Sequence, residues 1–126
     1  MKKYTIEVTE RQMNLIANAC ELSSRLRSGQ FHELRDIFHD LECTLGGRRL
    51  SYDEEETAIN SLKRLFGLQS GESVGVRESS LIAKELYEIY YLVRHFFAIR
   101  EGESSNVYRN NLMRVTEGST ISIREK

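Results

Sequence analysis

LYEIYYLVRHFF, residues 86–97, holds three tyrosines and two phenylalanines around the pair Arg94-His95. It lies inside the longest helical pattern of the chain, from about residue 78 to 101. With Leu81 at 0° and about 100° per residue, Leu92, Phe96, Ile89, Ile82, Val93, Leu86 and Phe97 cover about 20–160° of the helix surface. That is a core face. Tyr90, Ala83, Arg94, Tyr87, Ala98 and Tyr91 fall between about 180° and 280°, leaving only a narrow polar strip of Lys84, His95 and Glu88. A helix apolar on nearly every side is buried on nearly every side. A chain of 126 residues rarely surrounds one helix completely, so the second face predicts a partner subunit, a dimer or higher homo-oligomer.

Outward from this helix, the same periodicity places three more. Thr9 with Gln12 forms the Thr-x-x-Gln type of capping box and opens a helix over about 10–28. Its apolar arc is Met13, Leu15, Ile16, Ala19, Cys20, Leu22 and Leu26, with Asn14, Asn18, Glu21 and Arg25 opposite. Phe31, Leu34, Ile37, Phe38 and Leu41 continue at helical spacing to about residue 43, and LGGRR at 45–49 breaks the pattern. Ser51 and Glu54 form a second capping box, followed by Ala58, Ile59, Leu62, Leu65 and Phe66 on one face, with Gly67 as the C-cap.

The ends of the chain read differently. YTIEV (4–8) and TISIR (120–124) alternate, the segments at 107–109 and 112–115 look extended, and Glu117-Gly118 suits a hairpin turn. The expected fold is therefore α+β in a single domain: about four helical segments, two of them long, beside a small antiparallel sheet from the N-terminal strand and the C-terminal strands.

Composition narrows the function. A net charge of −1 and a pI near 6.3 give no global attraction to a nucleic-acid polymer or to anionic lipid. No apolar run approaches the ~20 residues of a membrane span, and MKKYTIEV lacks the apolar segment of a signal peptide. With only two cysteines, Cys20 and Cys43, the expectation is a reduced, cytoplasmic protein.

No complete catalytic set stands out. His39-Asp40 has the form of the metal doublet of HD phosphohydrolases, but His32 and Asp53 are wrongly spaced to complete it. His39 and Cys43, four apart, share a helix face without a clear third zinc ligand. QSGESVGV (69–76) lacks the lysine of a phosphate-binding loop, although its glycines make it a candidate lid. No cofactor or metal is expected, and no nucleophile sits in a recognisable elbow.

Binding residues are easier to nominate. Tyr87, Tyr91 and Arg94, spaced i, i+4 and i+7, stack on one helix surface, tyrosine offering a flat face to a base and arginine a fork to a phosphate. Equally, these groups could satisfy one another across a subunit seam. Phe97 joins the stacking set, Arg27, Arg109 and Arg114 the phosphate set, and Gly75 would let its loop close.

LSSRLRSGQF (22–31) and LYEIYYLVRH (86–95), with SVGV (73–76) and VYRNNLMRV (107–115), resemble a family of small phage and prophage proteins. The chain departs from that family in having no proline. By analogy the resemblance implies a phage-encoded, non-enzymatic sponge that sequesters a nucleotide signal of bacterial immunity, such as a cyclic ADP-ribose isomer or cyclic oligonucleotide. Two other readings stay open: a protein–protein module that inhibits a host protein through the aromatic face, and a metal-dependent hydrolase.

Overall fold

The computed structural model describes residues 2–75, 78–100 and 121–126. Four helices follow in order: α1 (Glu10–Arg27), α2 (Leu34–Leu45), α3 (Tyr52–Leu65) and α4 (Leu81–Arg100), with a 3-10 turn at Phe31–Glu33 leading into α2. Both capping boxes form: Thr9 Oγ1 accepts from Gln12 N at 3.1 Å, and Ser51 Oγ accepts from Glu54 N at 3.1 Å. The Glu54 carboxyl lies below its usual range, held there first by its bond from the Ser51 backbone N–H and also by Arg48.

Two helix ends share one device. After α1, Gln30 N reaches Arg25 O at 2.9 Å and Gly29 N reaches Leu26 O at 3.1 Å; after α3, Leu68 N reaches Lys63 O at 3.0 Å and Gly67 N reaches Arg64 O at 3.1 Å. Both are Schellman motifs with a left-handed glycine (φ 80° and 73°) just past the helix.

The expected α+β architecture is not the fold. Among the described residues there is no strand: 2–9 and 121–126 are irregular, while 107–109, 112–115 and the turn at 117–118 lie outside the described residues. Five alternating residues make a strand only where another edge pairs with them and a core receives one face. Tyr4 and Ile6 meet neither, at 86% and 73% exposed. The two ends do come together, through a Lys126–Glu7 ion pair of 2.6 Å rather than a backbone ladder.

α1 and α4 run antiparallel along one another. At one end Arg100 binds Glu10, at 2.7 and 3.3 Å; at the other Ser24 Oγ donates to the Ala83 carbonyl at 2.7 Å. The buried residues of this pair are mostly small: Ala17 and Ser24 on α1, Ala83, Val93 and Ala98 on α4, with Glu88 among them. This corrects the face expected for α1. Leu15, Ile16 and Ala19 are exposed, and Ala17, between the two expected faces, is the centre of the contact. Small side chains on both helices let the backbones approach closely enough for Ser24 Oγ to reach the Ala83 carbonyl.

The second half is built around charge. Arg35 on α2 binds Glu55 (2.6 Å) and Glu56 on α3 and lies 4.5 Å over the Tyr52 ring, while His32 Nε2 is 3.2 Å from Glu56. Beyond α3, buried Lys63 donates from Nζ to the carbonyls of Ser70 (2.9 Å) and Glu72 (2.8 Å). That loop reaches α1 where Val74 N donates to Ser28 O at 2.8 Å and Leu68 lies against Gly29. Ile59 and Val93 are the largest fully buried side chains among the described residues.

Candidate functional site

The tyrosine face of α4 turns partly onto α1. The rings of Tyr87 and Tyr90 are 5.5 Å apart edge to face, and those of Tyr87 and Tyr91 are 6.5 Å apart. All three tyrosines are half-buried. Arg94 is exposed, with its guanidinium 5.8 Å over the Tyr90 ring. Tyr90 is the member that sequence reasoning passed over. Burial first, and then a hydrogen bond to the Glu21 carboxylate on α1, push its hydroxyl up to about 12. Glu21 had been assigned to the solvent side of α1, so nothing in the periodicity marked the pair.

Three of the other nominated residues, Phe97, Arg27 and Gly75, fall within the described residues. Phe97 packs edge to face on Phe96 (5.4 Å) and under Arg100 (4.8 Å). Arg27 is exposed and directs its Nε to Ser23 of its own helix at 3.3 Å. Gly75 is exposed, its carbonyl accepting from Ser79 Oγ at 2.9 Å, in a loop anchored by Lys63, by Val74 N on Ser28 O and by Ser70 Oγ on Asn60 at 3.1 Å. These bonds tie the loop to α3 at Ser70 and Glu72 and to the end of α1 at Val74. Arg109 and Arg114 lie outside the described residues.

Two polar residues expected on the solvent strip of α4 are drawn inward. Glu88 is 6% exposed. His95 is half-buried, with Nδ1 buried and without a hydrogen-bond partner, beside an open cleft of about 360 Å³ lined by Leu92, Phe96, Ile99, Ile121 and Ile123. This cleft is where α4 meets the C-terminal segment, on the face the periodicity assigned to the core.

Another exposed apolar surface lies on α2. α2 has no buried residue at all. Taking Leu41 as 0°, Ile37, Leu34, Leu45 and Phe38 fall within about 60° of it, a single stripe roughly 100° wide. The stripe is half-covered at its start and bare at its end, where Leu41 and Leu45 are 51% and 77% exposed. Asp40 and Glu42 flank it about 100° to either side. His39 and Cys43 lie on the opposite side, both exposed, with Nε2 and Sγ 3.8 Å apart. No group of three or more His, Cys, Asp or Glu positioned to hold a metal is found among the described residues. None of the described helices is long and apolar enough to cross a membrane. The chain matches no family model, no curated protein and no solved structure.

Proposed function

We propose that this chain is a non-catalytic interaction protein that docks a partner protein through the apolar stripe of α2. The observation that carries the reading is a twelve-residue amphipathic helix with no buried residue. Helices this short owe their stability to packing of the apolar face. A bare stripe ending in Leu41 and Leu45 is therefore an incomplete contact. The acidic flanks, Asp40 and Glu42, select the partner's chemistry: an amphipathic helix with basic residues beside its apolar anchors. They also disfavour self-pairing, since two antiparallel copies of α2 centred on Leu41 would set Asp40 against Glu42. Placing a photo-crosslinking amino acid at position 45 in producing cells tests the reading. A discrete adduct with another protein is expected, and lost when Leu41→Asp is added; adducts only between copies, or none, end it.

A second reading keeps the nucleotide-sequestering role implied by the phage resemblance, which would blunt an anti-phage defence. It is favoured by Arg94, whose guanidinium lies over the Tyr90 ring next to the Tyr87–Tyr91 pair. Calorimetry with a panel of cyclic oligonucleotides and cyclic ADP-ribose isomers should then give heat that Arg94→Ala removes. Folded protein giving no heat with any of them excludes this role.

A further inference from the structure

α1 carries two stripes, and the outer one is covered only in part by the described residues. The stripe toward α4 runs through Glu10, Met13, Ala17, Glu21 and Ser24, and holds the contacts to Arg100, Tyr90 and Ala83. Diametrically opposite, at about 140–200° from Ala17, lie Leu15, Ala19, Leu22 and Leu26. Their spacing of 4, 3 and 4 is that of alternating core positions of a heptad. Leu15 is 52% exposed, Ala19 is exposed, and Leu22 and Leu26 are half-buried.

We infer that this outer stripe is a self-association seam: two copies pair antiparallel through α1, and each α1–α4 pair becomes half of a four-helix layer. The register is read from the numbers. A two-fold axis between residues 20 and 21 sets Leu15 opposite Leu26 and Ala19 opposite Leu22 of the second copy, so each small position meets a large one. The same axis sets Arg11 opposite Gln30, Arg25 opposite Ile16 and Arg27 opposite Asn14, with no like charges facing. A parallel pairing would instead set Arg11, Arg25 and Arg27 each against its own copy. A second copy is the fitting occupant because the stripe is complementary to itself in one orientation only, and closed two-fold pairs are the common solution for such a surface. The inference stands independently of what α2 binds.

The test uses the full chain, and the substitutions that probe the seam, Ala19→Arg and Arg11→Cys, are at exposed residues, so the monomer's fold is spared. Light scattering after size exclusion should give twice the 14.6 kDa chain mass for the unmodified protein and 14.6 kDa for Ala19→Arg, with unchanged helical circular dichroism. Leu41→Asp on α2 should remain dimeric. The register is read by spin labels on Arg11→Cys, with Cys20 and Cys43 replaced by serine. Antiparallel pairing puts the two labels about 30 Å apart, from 19 residues of offset at ~1.5 Å each plus the helix separation, whereas parallel pairing puts them near ~10 Å. A monomeric unmodified protein, a dimer that survives Ala19→Arg, or a label distance near ~10 Å would each overturn it.

Discussion

Tyr90 shows how one residue's chemistry follows from the element packed against it. Its hydroxyl sits at about 12 against an ordinary 10, because burial and the Glu21 carboxylate both disfavour the phenolate. The fold holds the neutral form, so this contribution to stability is complete below pH ~10 and is lost as pH rises through about 12. An ultraviolet phenolate titration should therefore show a step near pH 12, and Tyr90→Phe should abolish it. Gly29 makes a second residue-scale case. Its φ of 80° is left-handed, and a Cβ there would stand 2.7 Å from Leu68 Cδ1. Gly46 is also left-handed, at 62°, but a Cβ meets nothing within 4 Å. Gly46→Ala should thus cost about 1 kcal/mol, the conformational penalty alone, and Gly29→Ala about 2–3 kcal/mol in urea unfolding. Equal losses would show that the Leu68 contact yields freely. The glycine after α3 could be read from the sequence as a cap, whereas the crowding at Gly29 could not, since Leu68 is 39 residues away.

At the scale of elements, local signals were reliable for helices and unreliable for strands. Thr9/Gln12 and Ser51/Glu54 work because a capping box is closed by residues three apart, with no help from the rest of the chain. Thr9→Ala or Ser51→Ala should each lower stability by about 1 kcal/mol. YTIEV has no such local closure and stays irregular for want of a neighbouring edge. α2 presents the opposite case, a helix evident from its periodicity whose stripe finds no core. Replacing both Leu41 and Leu45 by Lys should cost monomer stability no more than about 1 kcal/mol, roughly 0.5 for each exposed position, since a cation suits the C-terminal turn that Leu45 ends. A loss of several kcal/mol would mean the stripe is buried in the folded chain, and the docking role of α2 would fail with it.

Across the whole molecule, the α1–α4 pair and the α2–α3 half meet at the end of α1, where Ser28, Gly29 and the loop braced by Lys63 come together. Lys63→Met keeps the stem volume and strands the carbonyls of Ser70 and Glu72. It should cost about 1–3 kcal/mol and speed amide exchange across 69–74, while α1 and α4 keep their protection. The sequence by itself determined the four helices, the capping boxes of α1 and α3, the glycine breaks and the tyrosine–arginine face of α4, because each of these is set by residues within one or two turns of each other. Which face of each helix is covered was decided only by the tertiary structure. Apolarity ranked Leu15 and Leu22 above Ala17 and Ser24, yet contact between two helices depends on the volumes that interlock. The close contact of α1 with α4 is made by Ala17, Ser24, Ala83 and Ala98, which leaves Leu15 and Ala19 exposed, while Glu88 and the Nδ1 of His95 are buried on α4.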